Sequence, residues 1–287
     1  MKIKVGFIGT GLMGEPMASN VMKQFSLNVF NRTKEKAQEL INAGATWADN
    51  PKAVTNLSDA VILMVTDDQA CLDIFSDPNG ILATTNKDAV IINMSTISPN
   101  ISIKLANQAD QHNLRYLEAP VLGSTGPAQQ GTLKILVGGE ESLYKKYLPI
   151  LQTMGDGIHF IGEVGKATVL KLLINANLAT QIAILSETLA IGQQNGLDQK
   201  AILDVINNSA VGTVVSKIKG PNMISRKYPT AFPYEHMLKD LSYASRLSDS
   251  SKLALITATK KVYEKGLNLD LKGADFSAVI EYYLHAE

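Results

Sequence analysis

The apolar run Val5-Gly6-Phe7-Ile8 leads directly into Gly9-Thr10-Gly11-Leu12-Met13-Gly14, and a helical pattern over Met13–Gln24 follows. A GxGxxG sequence alone is weak evidence, but here it stands between a strand candidate and a helix candidate, the context that a dinucleotide site requires. In such a site Gly9 allows the tight turn, Gly11 lets the backbone approach a pyrophosphate, and Gly14 lets the helix pack closely on the strand. The diphosphate then lies on unpaired amides at the helix N-terminus. The alternative is a strand-to-helix turn that binds nothing.

Short β-rich runs alternate with helix-like stretches through the first half of the chain. This alternation predicts a doubly wound, mostly parallel sheet with helices on both faces. The predicted strands are Lys4–Ile8, Leu27–Phe30, Ala60–Val65, Ala89–Asn93, Arg115–Leu117, Lys134–Val137 and His159–Ile161. The helices predicted between them include Met13–Gln24, Lys34–Ala43 and Ser98–His112.

The pattern becomes helical beyond Glu163. One long helix is predicted over Ala167–Gln194, with Gly196 as its C-terminal cap. Asp198 then caps a helix that continues through Ile206. Further helices are predicted over His236–Leu247 and Lys252–Lys265. The sequence therefore predicts an α/β Rossmann-type domain over residues 1–163 and an all-α domain over residues 164–287.

The composition limits the partners. The 27 basic and 27 acidic residues give a formal net charge of +0, so neither nucleic acid nor a membrane surface is expected to bind. The single cysteine, Cys71, excludes a disulfide framework and fits a reducing compartment. No uninterrupted apolar stretch is long enough to cross a bilayer, so a soluble, cytoplasmic protein is expected. No metal is expected, because the histidines lack ligand spacing. They are His112, His159, His236 and His285.

The end of the second predicted strand indicates the cofactor. An NAD site normally presents an acidic residue to the ribose 2′-hydroxyl about twenty residues after the glycines, and here Asn31-Arg32-Thr33 stands instead. Arg32 can pair with a 2′-phosphate at two points, and Thr33 can donate its hydroxyl. NADP is therefore favoured over NAD. The alternative is that Arg32 is solvated and Thr33 only caps the next helix.

Motifs in order along the whole chain resemble the β-hydroxyacid dehydrogenase family, which includes 3-hydroxyisobutyrate dehydrogenase and proteins like 6-phosphogluconate dehydrogenase. Within that family the chain is most similar to glyoxylate/succinic semialdehyde reductases. The motifs are Gly6–Gly14, Asn31–Thr33, Met94–Thr96, Glu118–Val121, Gly131–Leu133, Gly162–Gly165, Lys171–Asn175, Ser186–Glu187, Phe232–Pro233, His236, Lys239–Asp240 and Asp275–Glu281. The resemblance implies a Rossmann-type domain, a long interdomain helix and a helical C-terminal domain that binds substrate and dimerises, assembled as a homodimer or homotetramer.

Lys171 and Asn175 are spaced i, i+4, so they project from one face of the long helix. A lysine on this apolar helix either extends to solvent or lies in a cleft, where desolvation would lower its pKa towards the working pH. The resemblance implies the catalytic role. Lys171 would be the general acid/base in the NADPH-dependent reduction of a small carboxylate-bearing aldehyde to the hydroxy acid, with Asn175 holding the lysine and the substrate hydroxyl.

The resemblance assigns further residues. Val65, Thr66 and Thr96 would contact the cofactor, and Ser95 and Thr96 the substrate. Lys239 would reach the cofactor or the substrate carboxylate, oriented by Asp240, although by itself it reads as a surface lysine paired with Asp240 or Glu235.

The predicted substrate loop departs from the family. It reads Leu122-Gly123-Ser124 after Pro120-Val121, where relatives have Pro-Val-Ser-Gly. The amides of Gly123 and Ser124 can still form an anion-binding nest. Leu122 removes the usual serine hydroxyl, which indicates a bulkier or less polar substrate.

Three other functions remain open. A 3-hydroxyisobutyrate-type dehydrogenase and an imine reductase would use the same scaffold, although retention of Lys171 with Asn175 speaks against the latter. A nucleotide-binding scaffold or sensor would need no acid, and the intact Lys171 speaks against that too.

Overall fold

The computed structural model describes residues 3–285, apart from the side chain of Ser250. The chain divides into two compact units, Met1–Lys171 and Leu172–Glu287, and the division falls inside one long helix, Lys166–Gln194. The start of that helix is tied to the first unit because Glu118 accepts hydrogen bonds from the backbone of Ala167 and Thr168. The boundary predicted at Glu163 lies shortly before this helix and stays a prediction.

Within residues 3–285 the first unit contains one nine-stranded sheet, ordered β3-β2-β1-β4-β5-β6-β8-β7, with β9 paired to β8. Its strands β1 to β6 are mutually parallel, β8 runs antiparallel to β6 and β7, and β9 is parallel to β8. The strands are β1 (Lys4–Ile8), β2 (Ser26–Phe30), β3 (Thr46–Trp47), β4 (Ala60–Leu63), β5 (Val90–Asn93), β6 (Arg115–Glu118), β7 (Val121–Leu122), β8 (Leu133–Gly139) and β9 (Gly155–Gly162). The mostly parallel α/β architecture is confirmed.

Helices connect these strands. Several begin at a capping residue: the Asn50 side chain accepts from the amide of Ala53, and that of Asp67 from the amide of Ala70. The helices are α1 (Gly14–Met22), α2 (Gln38–Asn42), α3 (Pro51–Asn56), α4 (Asp68–Ser76), α5 (Pro99–Gln111), α6 (Thr125–Gln130), α7 (Glu141–Leu151) and the start of α8 (Lys166–Gln194). The helix predicted over Lys34–Ala43 is instead a 3₁₀ turn, Lys34–Ala37, followed by α2.

The central strands are buried on both faces. In β4, Ala60 and Ile62 belong to one apolar core, and Val61 and Leu63 belong to the core on the opposite face. All four side chains are fully buried. Successive side chains of a strand point to opposite faces, so a strand covered on both sides must be apolar throughout. This is why the predicted strands read as continuous apolar runs.

The second unit is helical, as predicted. Asp198 caps α9 by accepting from the amides of Lys200 and Ala201, and Gly196 has the positive φ, +80°, expected after a helix end. No strand forms within the described part of this unit, where Pro233 and Asp275 make an isolated antiparallel bridge. Its helices are the rest of α8, then α9 (Gln199–Asn207), α10 (Val214–Ile224), α11 (Tyr234–Ala244), α12 (Ala254–Gly266) and α13 (Ile280–His285).

Helix α8 supplies the centre of the second unit's core. Leu172, Ile182 and Leu189 are buried there against Met237 and Tyr263, among others. By length and composition α8 could cross a membrane, but half of its most apolar window is buried inside the structure. A core helix of a folded domain meets the same criteria.

Candidate cofactor and catalytic site

The glycine turn follows β1 where the strand order reverses between β1 and β4, the place where open α/β sheets bind ligands. Gly9 has φ +96°, and a Cβ there would lie 2.2 Å from the carbonyl oxygen of Met64. A Cβ on Gly14 would lie 1.9 Å from the carbonyl oxygen of Gly9. Both glycines are therefore required by the turn and by the packing of α1 on β1.

Gly11 differs from the other two glycines. A Cβ there would meet nothing within 4 Å, so the surrounding protein atoms do not require glycine at this position. Close approach of a ligand does explain it. The neighbouring Leu12 is 53% exposed, and Met13 is half-buried.

Thr10 provides a test of whether a dinucleotide fits. Its amide donates to Asn31 Oδ1 at 3.0 Å, which ties the turn to the end of β2. Its hydroxyl oxygen is buried and, among residues 3–285, makes no hydrogen bond. A buried polar atom without a partner is costly, and a phosphate oxygen at the turn would satisfy it. The residues present therefore fit the cofactor.

The segment after β2, Asn31–Thr33, carries the side chains predicted to contact a ribose substituent. Arg32 is exposed and makes no ion pair within residues 3–285. Thr33 precedes the 3₁₀ turn, but its side chain makes no capping hydrogen bond. The reading of Thr33 as only a cap therefore loses its support. Asn31 bridges the segment, since its Nδ2 donates to the carbonyl of Thr33 at 2.8 Å.

The ends of β4 and β5 carry four more predicted residues. Ser95 is 1% exposed. Its hydroxyl accepts from the amide of Val65 at 3.0 Å and donates to the carbonyl of Leu63 at 3.3 Å. The Ser95 side chain thus joins the two strand ends. Thr96 is half-buried and Thr66 is exposed beside them.

The predicted substrate loop is partly a strand. Leu122 lies in β7 opposite Lys134 of β8 and is half-buried. Gly123 follows with φ +125°, where an added Cβ would come within 3.0 Å of Leu133 and Pro127 side chains. Ser124 then begins α6 without a side-chain cap. The turn is therefore held by packing, with Leu122 at its start.

Lys171 and Asn175 lie one turn apart on α8. Lys171 is 7% exposed and Asn175 is 3% exposed. Within the second unit, Asn175 Nδ2 donates to Asp240 Oδ2 at 2.6 Å. A lysine this well removed from water is not extending to solvent. The burial expected of a catalytic lysine is present, and its role stays a prediction.

Lys239 lies on α11 beside Asp240. Its Nζ is 3.2 Å from Asp240 Oδ1, and its side chain is 18% exposed. It also lies 5.4 Å from the ring centroid of Tyr243. The ion pair with Asp240 is observed, but Lys239 is less exposed than a surface lysine would be. Its contact with a cofactor or substrate stays a prediction.

One buried carboxylate, Glu118, belongs to a family motif but was given no role from the sequence. Glu118 ends β6, is 1% exposed, and contacts the first turn of α8. A carboxylate directly after the apolar pair Tyr116-Leu117, at the end of a predicted strand, is the signal that could have found it. Among residues 3–285, no group of three or more His, Cys, Asp or Glu side chains could hold a metal ion.

These features define a dinucleotide-binding α/β protein. They are a glycine turn where the strand order reverses, a buried Thr10 hydroxyl in that turn without a hydrogen bond among residues 3–285, and the exposed Arg32 after the second strand. Comparisons with known proteins give the family. Residues 4–162 match the NAD binding domain of 6-phosphogluconate dehydrogenase. Residues 165–283 match a domain described as NAD-binding of NADP-dependent 3-hydroxyisobutyrate dehydrogenase. The chain belongs to the β-hydroxyacid dehydrogenase family of NAD(P)-dependent oxidoreductases.

Individual relatives agree with this assignment. Glyoxylate/succinic semialdehyde reductase 2, chloroplastic, of Arabidopsis thaliana is 34% identical over 97% of this chain and 79% of its own. Reductase 1 of the same plant is 33% identical over 97% of this chain and 98% of its own. A solved structure, Psf3 in complex with NADP+ and 2-OPP, has a TM-score of 0.87 at 26% identity and covers 96% of this chain and 99% of that one. The predicted family, fold and enzyme class are confirmed.

Proposed function

We propose that the protein reduces a small carboxylate-bearing aldehyde, similar to glyoxylate or succinic semialdehyde, to the hydroxy acid with NADPH. The observation that carries the proposal is Lys171, a lysine only 7% exposed on α8. Burying a lysine costs free energy, and a cation held away from water stabilises negative charge at a reacting oxygen more strongly than one in water does. The two plant reductases named above supply the substrate class.

Lys171 acts at the carbonyl oxygen of the aldehyde. Its ammonium group stabilises the negative charge that develops on that oxygen and then donates a proton to it. The hydride for the carbonyl carbon comes from NADPH when it is bound. Asn175 orients the reacting oxygen, and the hydrogen bond from its Nδ2 to Asp240 fixes the rotation of its amide. Ser95 acts indirectly, because its hydroxyl is used to hold the ends of β4 and β5.

A panel of small aldehydes and hydroxy acids, followed at the absorbance of NADPH and separately of NADH, tests this function. Reduction of carboxylate-bearing aldehydes supports the proposal. Preferential oxidation of 3-hydroxyisobutyrate would indicate that type of dehydrogenase, and turnover of cyclic imines an imine reductase. Tight cofactor binding without turnover of any of them would indicate a scaffold or sensor.

The preference for NADP rests on Arg32. Arg32→Ala should weaken NADPH binding by roughly 10- to 150-fold, the equivalent of losing a charge-assisted hydrogen bond of about 1.5–3 kcal/mol. NADH binding should hardly change, because NADH lacks the 2′-phosphate. Calorimetric or fluorescence titration of both cofactors measures the effect.

Lys36→Ala is the matched control, since Lys36 is also exposed, lies four residues further on, and carries the same charge. It should change the binding of NADPH little. Equal affinities of the unmodified protein for NADPH and NADH would contradict the NADP assignment.

Leu122→Ser tests substrate choice. The serine restores a hydroxyl that can bond a carboxylate, a contact of about 1.5–3 kcal/mol, so KM for glyoxylate and succinic semialdehyde should fall by roughly one to two powers of ten. The affinity for NADPH should stay the same. Leu122→Ala provides the control, because it opens the same space without a hydroxyl. If the alanine variant gains as much as the serine variant, or if neither gains, the hydrogen bond is not the cause.

We also propose a homodimer or homotetramer in a soluble, cytoplasmic setting. Apolar side chains on the second unit are unusually exposed for residues of their type, including Ile184 at 57%, Val205 at 69% and Ile218 at 61%. The family resemblance supplies the expected assembly, and association through this unit would cover such side chains. Light scattering coupled to size-exclusion chromatography gives the subunit number, and a monomer would contradict the proposal.

A further inference from the structure

Glu118 is a buried carboxylate with four donors around it. Its Oε1 accepts from the amides of Ala167 at 2.8 Å and Thr168 at 3.3 Å. Its Oε2 accepts from the hydroxyls of Thr168 at 2.7 Å and Ser102 at 2.6 Å. Each oxygen thus accepts two hydrogen bonds, which is the arrangement of a carboxylate anion. Two of the donors are amides in the first turn of α8, where the positive end of the helix dipole also favours an anion.

The sheet leaves room for the Glu118 carboxylate because the neighbouring strand has a glycine, Gly138, beside it. A Cβ on Gly138 of β8 would lie 2.5 Å from Glu118 Oε1, so any larger residue there would displace the group. β6 and β8 pair at this point, with Glu118 opposite Gly138. The glycine therefore lets the carboxylate turn from the end of β6 towards the start of α8.

Lys171 stands directly above the anchored turn. Ala167 and Thr168 precede it by four and three residues, the two spacings that place residues on the same face of a helix. The donors that bind Glu118 and the proposed acid therefore belong to consecutive turns of one face. Any shift or fraying of the first turn moves Lys171 with it.

A chain of hydrogen bonds continues from Glu118 to the loop after β5. The hydroxyls of Ser102 and Tyr116 are 3.2 Å apart, and Asn93 Nδ2 donates to the Tyr116 oxygen at 3.1 Å. Asn93 Oδ1 accepts from the amide of Ser95 at 3.0 Å. Burial raises the pKa of the Tyr116 hydroxyl, which therefore stays protonated. Because Ser102 donates its one hydroxyl proton to Glu118, the Tyr116 hydroxyl is the donor to Ser102. Every link lies within the first unit.

We propose that Glu118 is a positioning residue for the reaction. Its carboxylate fixes the first turn of α8, and so Lys171, to the strand end that carries Ser95 and Thr96. Because the donors to Glu118 lie one helical turn before Lys171, the negative charge of Glu118 also favours the ammonium form of the lysine that the reduction requires. The inference rests on the proposed role of Lys171 as proton donor. Capping of α8 does not by itself require Glu118, because a helix is ordinarily capped by the residue just before it. Glu118 is 49 residues from Ala167.

Glu118→Gln is the direct test. It keeps the shape, removes the charge and turns an NH₂ group towards donors. We expect kcat to fall by roughly 10- to 100-fold, since a misplaced catalytic group has effects of that order, with KM for NADPH within about twofold. The alkaline limb of the kcat–pH profile should move to lower pH, because loss of the nearby anion favours the neutral amine. The reactivity of Lys171 with acetic anhydride, quantified by mass spectrometry against pH, should move in the same direction.

Two substitutions of Thr168 disturb the structure less and provide a test if the Glu118→Gln variant folds poorly. Thr168→Val removes the hydroxyl that donates to Glu118 at constant size and should lower kcat about tenfold. Thr168→Ser retains a hydroxyl and should restore most of the activity. Thr153→Val is the matched control, because Thr153 is buried in the same unit and donates to the carbonyl of Ile150. It should leave kcat and its pH profile unchanged.

The outcomes separate this inference from the proposed function. If Lys171→Ala abolishes turnover while Glu118→Gln and Thr168→Val keep the unmodified kcat, pH profile and Lys171 reactivity, the positioning role is wrong and the function stands. If Lys171→Ala is fully active, the proposed function fails first. If Thr153→Val loses as much activity as Thr168→Val, the effect is general destabilisation, and the positioning role is again wrong.

Discussion

Replacing Lys171 with alanine is expected to lower kcat for the best substrate by roughly 10²- to 10⁴-fold, the usual contribution of a positioned acid. The affinity for NADPH should be unchanged, because the residues proposed to bind the cofactor, the glycine turn and Arg32, lie elsewhere in the sequence. The fall is expected in kcat because the proposed interaction between Lys171 and the reacting oxygen would strengthen as negative charge develops there. Steady-state kinetics combined with cofactor titration measures both quantities.

Lys166→Ala is the control for this experiment. Lys166 begins the same helix but is exposed, so its removal changes the helix charge equally without touching a buried position. It should leave kcat within about twofold, because an exposed charge at that distance is screened. A loss of less than about tenfold in Lys171→Ala would show that Lys171 is not the acid.

The second large effect concerns stability. Asp275 is 1% exposed in the second unit, and its Oδ2 lies 2.7 Å from Lys219 Nζ. The same oxygen accepts from the amides of Ala231 and Phe232, and Oδ1 accepts from the amide and the hydroxyl of Ser277. Asp275→Asn leaves the lysine without its counter-ion and turns amide hydrogens towards donors. Removing one partner of a buried pair costs about 3–5 kcal/mol, and we expect a loss of unfolding free energy of that order.

Urea unfolding followed by circular dichroism measures this loss. Asp249→Asn is the matched control, because Asp249 is exposed in the same unit and should change stability by no more than about 0.5 kcal/mol. If Asp275→Asn unfolds at the same urea concentration as the control, the carboxylate is not a structural centre of the unit. The two experiments are independent, since Lys171→Ala should lower kcat without this loss of stability.

Much of the first unit could be predicted from the sequence because its signals are local. β1 begins and ends at the predicted residues, Lys4–Ile8, and continuous apolar runs marked the other central strands. The two-residue strands β3 and β7 were missed, since a pair of residues has no period to detect. Lys34–Ala43 was wrong as a single helix because its apolar spacing does not reveal where the hydrogen bonding changes from 3₁₀ to α.

The long helix shows where periodicity fails. Its existence and end were predicted, but the sequence did not show which of its apolar side chains are buried: Leu173 is 42% exposed, while the adjacent Leu172 is fully buried. A helix that is apolar on nearly every side gives no preferred face. Which face packs inwards is decided by the residues from α9 to α13 that meet it, and these are distant in sequence.

For the candidate site, the sequence by itself determined the residues whose role depends on local backbone. Gly9 must adopt a positive φ, Gly14 must admit a neighbouring carbonyl, and Arg32 follows the second strand at the spacing of a ribose contact. Only the tertiary structure decided which polar groups are buried and what they bond to. It joined Glu118 to the first turn of α8 and engaged the Ser95 hydroxyl with the end of β4. The physical reason is that a turn is fixed by the chain's own sterics, whereas desolvation and pairing of a buried charge depend on elements that meet only in the folded protein.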